Sequence, residues 1–201
     1  HLIGRGFVDH LAASYLAITP KPVERNSRVA ANSATFIPRF VNLPKGKQRS
    51  YVGGFSVIAF GPMSASRLEP GWRATLKLSA QEARECSFYR VSALGDAIPH
   101  RDRFVELHAS DTDSLGRSVP IVHQAWSDND VRMTEDMMES ALSVIDAITP
   151  PGSVVVPVRE PRRHRALFHE AGGCAMGVDP NTSVTDPACR VRGVNGLYVA
   201  D

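Results

Sequence analysis

The stretch that most constrains this chain is its end, residues 168–201. It begins Phe168-His169-Glu170-Ala171-Gly172-Gly173-Cys174-Ala175-Met176-Gly177 and continues through Val178-Asp179-Pro180-Asn181-Thr182-Ser183-Val184-Thr185-Asp186. It closes on Gly193-Val194-Asn195-Gly196-Leu197-Tyr198-Val199-Ala200-Asp201. A single histidine leads into paired glycines, a turn rich in Asp, Pro and Asn follows, and an apolar strand then ends on a carboxylate. Glycine takes φ > 0 without cost and lets another backbone or a flat ligand come close. His169 therefore sits where something large can lie against the main chain. In isolation a histidine reads as a buried structural residue; the motif around this one reverses that reading.

The rest of the composition narrows the class. With 201 residues, 43% of them hydrophobic, the chain has room for one ordinary domain and part of another, and for a sizeable core. A net charge of +2 argues against a dedicated nucleic-acid binder, which gathers a strong basic excess on one face. No apolar run approaches the roughly 20 residues of a membrane helix, and the first residues do not read as a charged-then-apolar leader. Cys86, Cys174 and Cys189 make an odd set, so no disulfide framework is expected and the compartment stays open.

Along the chain, Gly4-x-Gly6 has the look of a phosphate loop, but Asp9 stands where the third glycine belongs and no apolar strand precedes it. The better reading is a connection with a helix beginning near Asp9. From Tyr15 to about Gly46, Pro20, Pro22, Pro38 and Pro44 punctuate short apolar pieces that read as loops or edge strands. Residues 51–60 read as a strand covered on both faces, stopped by Gly61-Pro62. Residues 73–78 and 82–90 are ambiguous, the second holding Ala83, Cys86 and Tyr89 at spacings that suit a short helical face.

Residues 104–108 and 119–126 read as two strands joined by the turn Asp111-Thr112-Asp113-Ser114-Leu115-Gly116, which predicts an antiparallel pair. Ser127 with Asp130 three residues on is a variant capping box. Met138, Leu142 and Ile145, flanked by Met137, Ala141, Val144 and Ile148, then predict an amphipathic helix over 130–148 packed on that pair. Thr149-Pro150-Pro151-Gly152 ends it. The methionines read as core. Strand, strand and helix followed by a glycine-rich terminal segment predict an α+β fold, its helices on one face of a largely antiparallel sheet.

Three other chemistries fail. His164, His169, Cys174 and Cys189 are zinc-ligand types, but not in the paired combination a zinc site needs. Asp179, Asn181 and Ser183 imitate the opening of a calcium loop until Val184 and Arg190 fall where Gly and Glu are required. Arg159, Arg162, Arg163 and Arg165 beside His164 read as a solvated basic segment rather than a phosphate site.

The terminal segments resemble the glucose-methanol-choline (GMC) family of flavin-dependent alcohol oxidoreductases. His169, Gly172, Cys174, Met176 and Gly177 match its His-x-x-Gly-Thr-Cys-(Arg/Lys)-Met-Gly block. Ser183, Val184 and Asp186 match its Ser-Val-x-Asp turn. Gly193, Val194, Leu197, Val199 and Asp201 match its Gly-Val-x-x-Leu-x-Val-x-Asp strand. Gly173 departs where Thr is common, and Ala175 where a basic residue is common. Gly4, Arg5, Asp9 and His10 fit a Gly-Arg-x-x-x-Asp-His segment of the same family, and Asp113 to Arg117 and Ser127 to Asp130 look like its substrate domain.

The resemblance implies a division into a connection from the flavin domain (1–14), a substrate domain (15–165), and a catalytic loop with a return strand to the flavin domain (166–201). It implies FAD as cofactor, with a substrate hydride passing to flavin N5 while a base takes the hydroxyl proton. His169 is the candidate base, histidine being suited to that role near neutrality. Gly172, Gly173 and Cys174 would form a loop beside the flavin. Asp201 would lie near its phosphoribityl or pyrophosphate part, and Asp9 and His10 on the cofactor-side connection; no metal is expected. The implied partners are a small alcohol or sugar and the flavin-domain segments of the same protein. The Asp179-Pro180-x-Thr182-Ser183-Val184 and His-Glu-Ala-Gly forms look closer to sugar-oxidising bacterial members than to the choline branch.

No Gly-x-Gly-x-x-Gly follows a strand, and the family continues past Asp201 to a second catalytic His or Asn. The chain thus reads as an internal fragment, expected alone neither to hold FAD nor to oxidise alcohols. The rival is a non-catalytic binding domain on the same scaffold.

Overall fold

The computed structural model describes residues 2–23, 34–39, 41–159 and 169–200. In chain order its elements are strands β1 (Arg5–Val8), β2 (Leu11–Ile18), β3 (Ala34–Pro38) and β4 (Phe55–Ser64), helix α1 (Pro70–Thr75), strands β5 (Ser87–Gly95), β6 (Phe104–Thr112) and β7 (Ser118–His123), helix α2 (Asp128–Ile148), and strands β8 (Val154–Arg159) and β9 (Ala171–Gly173). Short 3-10 turns at Ala65–Arg67 and Glu82–Arg84 flank α1. All pairings among these strands are antiparallel. The chain divides into two compact units: His1–His10, Ala97–Asp128 and Leu167–Asp201 form one, Leu11–Asp96 and Asn129–Ala166 the other.

The second unit is built on a five-stranded sheet in the order β3-β4-β5-β2-β8. β2 is an interior strand, buried almost throughout. This corrects the reading of loops or edge strands from Tyr15 onward. Leu-Ala-Ala-Ser-Tyr-Leu-Ala-Ile shows no polar alternation because both its faces are covered, and its small residues give no β signal of their own. Ser14, the polar residue among them, is satisfied across the strands, its Oγ donating to Ser92 Oγ at 2.9 Å. β3 is an edge strand ending on Pro38, as a proline there requires.

β4 starts at Phe55 and does not stop at Gly61-Pro62. It runs on to Ser64, a register shift between Phe60 and Met63 absorbing the interruption. The ambiguous residues 82–90 resolve into a single 3-10 turn and the start of β5, with Cys86 and Phe88 buried against Leu16 and Ile18.

The register of β2, β4 and β5 separates two faces. Phe55, Val57 and Ala59 pair with Gly95, Ala93 and Val91 on one face, and α2 covers it. The stripe it buries completely is Met133, Met137, Ala141 and Ile145, at i, i+4 spacing. Each of the three large side chains stabilises the fold by about 1.5–3 kcal/mol relative to exposure. The sequence had pointed to Met138 and Leu142; Met138 is half-buried and Leu142 exposed. Asp130, Thr134 and Ser140 share the buried side, which lowers its apparent hydrophobicity and shifts the apparent stripe. The sequence reading also put this helix on the β6–β7 pair, whereas Met133 and Met137 of its stripe pack against Gly95 of β5. Gly95 makes room for it: a Cβ there would lie 2.8 Å from Met137 Sδ and 2.9 Å from Met133 Sδ.

The opposite face, carrying Leu16, Ile18 and Phe88, is covered at one end by Ala65, Leu68 and Ala83 of the turns, with Trp72 and Leu76 of the α1 region packed beside them. Helical structure thus lies on both faces of this sheet, not on one. Residues 41–53 are tied to α2 by polar contacts. Tyr51 Oη donates to Asp136 Oδ2 at 2.6 Å, Arg49 Nε lies 3.0 Å from the same oxygen, and Asn129 Oδ1 accepts from Val52 N–H at 2.7 Å. Burial, and then the bond to Asp136, push the Tyr51 hydroxyl well above the usual phenol range.

The first unit contains a four-stranded sheet in the order β7-β6-β1-β9. β6 and β7 form the expected antiparallel hairpin, with Phe104 opposite His123 and Thr112 opposite Ser118. Its turn is closed by one carboxylate. Asp113 Oδ1 accepts from the N–H groups of Leu115 (2.9 Å) and Arg117 (3.0 Å), and Oδ2 meets Arg117 Nε (2.9 Å) and its terminal nitrogen (2.8 Å). The helix expected near Asp9 is absent: β1 ends at Val8, and after Asp9 and His10 the chain enters β2 at Leu11. Arg5 pairs with Phe104, its guanidinium 4.1 Å over that ring. Arg103, 5% exposed, braces β1: its carbonyl accepts from Gly6 and Phe7 N–H, and its guanidinium donates to the carbonyls of Ala125 and Ile98.

Candidate active site

The end of β1 and the start of β9 bring the candidate base to its neighbours. In their antiparallel pairing Val8 faces Ala171 and Arg5 faces Gly173, so Asp9 and His10 emerge from β1 beside the residues that lead into β9. Gly172, at φ +84°, is indispensable here. A Cβ would lie 2.2 Å from the carbonyl oxygen of Gly6, so no residue with a side chain lets the two strands approach. The glycine of the motif is thus accounted for by strand closure.

Asp9 is 8% exposed, and its Oδ1 accepts from His10 N–H at 2.6 Å and from His169 N–H at 3.3 Å. The imidazoles of His10 and His169 meet edge to face, centroids 4.9 Å apart at 84°. His169 and Glu170 are exposed.

Past Cys174 the chain forms a compact lattice rather than a strand. Val184 N–H donates to Ala175 O, Gly177 N–H to Thr185 O, and Arg192 N–H to Val184 O. Ser183 Oγ donates to Asp179 O at 2.6 Å, and Arg192 reaches Gly177 O at 2.6 Å and Ser183 Oγ at 3.2 Å. Asp186 accepts from Ala188 and Arg190 N–H through Oδ1, and meets Arg190 Nε and its terminal nitrogen, both at 2.8 Å, through Oδ2. The Arg190 N–H bond above all holds the Asp186 carboxyl below the usual carboxylate range, against some opposing desolvation. Ser183 and Asp186, two residues of the motif, therefore shape the loop. Sequence reasoning missed their partners Arg190 and Arg192; the recurrence of Thr-Asp-x-x-x-Arg at 112–117 and 185–190 was the available signal.

The apolar run after Gly193 is not a regular strand. It folds back through a bridge between Arg190 and Tyr198 and a bond from Val191 N–H to Leu197 O, leaving Val194, Leu197 and Tyr198 exposed. The hollow it lines, about 500 Å³ and bounded by Asp186, Arg190, Arg192, Asn195 and Tyr198, does not include His169.

Of the candidate residues, Asp9, His10 and His169 come together, Gly172 and Gly173 lie in β9, and half-buried Cys174 follows them. Asp201 lies outside the described residues, as do Arg162, Arg163, His164, Arg165 and the side chain of Arg159. Among the described residues no three His, Cys, Asp or Glu side chains stand close enough to hold a metal ion. Asp179 Oδ1 is occupied by Asn181 N–H and Nδ2. All three cysteines are free, and burial raises the Cys86 thiol above its usual range.

The cofactor that the resemblance implies makes two demands, a flat ring contact and a pyrophosphate cradle. Residues 169–172 are exposed, which suits the first. The second is unmet among the described residues of this unit, whose sheet is made of four strands with no glycine loop leading from a strand into a helix. No helix among the described residues is long and apolar enough to cross a membrane.

Known proteins bear on this arrangement. Over 42 residues the chain is 55% identical to an oxygen-dependent choline dehydrogenase of Brucella ovis, a match covering 20% of this chain and 8% of that protein. Over 35 residues it is 60% identical to an uncharacterized GMC-type oxidoreductase of Mycobacterium tuberculosis, covering 17% of this chain and 6% of that protein. The matched stretch is thus less than a tenth of the length of these curated relatives. The model of the GMC oxidoreductase family matches residues 99–201, just over half of the chain. On that match, the chain belongs to the GMC oxidoreductase family.

Proposed function

We propose that the protein is an FAD-dependent oxidoreductase acting on CH–OH donors, in which His169 takes the hydroxyl proton of the substrate. The observation that carries the reading is the gathering of exposed His169 with His10 and Asp9 at one sheet edge, in a chain of the GMC oxidoreductase family. When bound, the flavin supplies the hydride acceptor for the carbinol hydrogen. His169 supplies the base, a group of the type that operates near neutral pH. In this reading the main chain at Gly172, Gly173 and Cys174 would adjoin the flavin, and Asp201 would serve its phosphoribityl or pyrophosphate part. The pyrophosphate cradle comes from other segments of the same protein.

The substrate is a small alcohol or a sugar. The likeness to a choline dehydrogenase extends over only 42 residues and does not choose between them.

The test is His169→Ala in the intact protein. Turnover is expected to fall by about 10²–10⁴-fold, the usual contribution of a general base, while flavin content measured by absorbance stays at the wild-type level. An unchanged rate removes His169 from the mechanism.

A further inference from the structure

We propose that Asp9 is a positioning residue for His169, with the His10 ring as the wall against which the His169 imidazole rests. This deepens the proposed function and takes its base assignment as given. Residues 9 and 10 then do not serve the cofactor side of the chain but hold the base.

Three observations converge on this. Asp9 is buried, yet its Oδ1 is spent on the main chain of the two histidines, accepting from His10 N–H and His169 N–H. The two rings meet edge to face at 4.9 Å, an arrangement aromatic pairs favour. The strand that follows His169 is three residues long and consists of Ala171, Gly172 and Gly173, so it offers no side chain larger than a methyl to pack against the imidazole.

One carboxylate oxygen holds both backbones, and the second ring closes one side of the His169 imidazole, which narrows its choice of rotamer. Misplacing a base by about 1 Å costs on the order of 10²-fold in rate. The contacts to His10 N–H and His169 N–H require an acceptor oxygen at residue 9, which Asn supplies and Ala does not.

The experiment uses the intact protein labelled with 13Cε1-histidine, in wild type and in the Asp9→Ala, Asp9→Asn and His10→Leu variants, with kcat and KM measured alongside. In Asp9→Ala the Cε1–Hε1 resonance of His169, assigned from its loss in His169→Ala, is expected to move or broaden. kcat should fall by about tenfold or more while KM changes by less than about twofold, the signature of lost orientation rather than lost substrate binding. Asp9→Asn is expected to restore both resonance and kcat. His10→Leu removes the ring-current contribution and shifts the His169 resonance even if Asp9→Ala does not fold. An unmoved His169 resonance in Asp9→Ala or in His10→Leu overturns the proposal, as does an Asp9→Asn variant no better than Asp9→Ala. The resonance does not depend on His169 being the base. If His169→Ala retains full turnover but the resonance responds as expected, the base assignment fails and the positioning stands.

Discussion

Two turns of the first unit are built to one plan, Thr112-Asp113-Ser114-Leu115-Gly116-Arg117 and Thr185-Asp186-Pro187-Ala188-Cys189-Arg190. In each, the aspartate N–H donates to the arginine carbonyl, at 2.8 Å in one and 3.0 Å in the other. One carboxylate oxygen takes the N–H groups two and four residues on, and the other takes the guanidinium. Each is flanked by a facing pair, Thr112 with Ser118 and Thr185 with Val191. This is the three-residue hairpin loop whose last position is left-handed. The copies differ at that position: Gly116 has φ +75°, and Cys189, a residue with a side chain, has φ +63°. They differ also in setting, the first closing the long β6–β7 hairpin and the second holding together the segment that follows Cys174. An aspartate that matches a family signature close to the candidate base therefore has the same structural duty as one at a plain hairpin tip. Proximity to a site in sequence is weak evidence of chemistry.

The comparison breaks if the two carboxylates matter equally. Asp186→Ala is expected to cost more than Asp113→Ala, because β6 and β7 retain their ladder while the lattice has only isolated bridges. Amide exchange should show about tenfold or greater loss of protection at Val191 and Val199 in Asp186→Ala, with the effect of Asp113→Ala confined to the turn. Comparable losses at both would sink the distinction.

A smaller effect separates the left-handed positions. Cys189→Gly should stabilise, and Gly116→Cys destabilise, each by roughly 1 kcal/mol, the cost of a side chain in that conformation. A Cβ at Gly116 would meet nothing within 4 Å, so its cost is one of backbone alone. Urea midpoints of the two variants check this.

The smallest effect concerns acid. Hydrogen bonds, led by the arginine N–H in each turn, hold both carboxyls below their ordinary 3.8. A depressed folded-state value means stability fully present above 3.8 and lost as pH falls through the folded value. Thermal scans from pH 5 down to 2 should fall less steeply in the Asp113→Asn, Asp186→Asn double variant. Both groups are partly exposed, so added salt should weaken the difference.

The hairpin of β6 and β7 was legible because β-rich runs flank a turn whose Asp and Gly have defined roles. α2 was legible in its extent, between Ser127 and the two prolines, but not in its buried stripe, since that is set by the space over Gly95 and not by the helix itself. β2 was illegible because small residues buried on both faces leave no period to read. For the site, the glycine motif pointed to His169 but could not show what Gly172 is for, which is the Gly6 carbonyl of another strand. The contact of Asp9 with His169 joins residues 160 positions apart, and no local pattern encodes it.

The interior places of β1 and β2 govern how such a chain is made. β2 lies between β5 and β8, and β1 between β6 and β9. Leu16 must wait for Val156, and Val8 for Ala171, before either sheet is complete. At about 5–20 residues per second of synthesis, that is on the order of ten seconds or more in which a nascent strand as apolar as Leu-Ala-Ala-Ser-Tyr-Leu-Ala-Ile lacks one of its neighbours. Long-range pairing of this kind folds slowly, and the hazard falls on the newborn chain: a β2 still lacking one partner edge is open to pairing with another molecule, so chaperone supply during expression bears directly on yield.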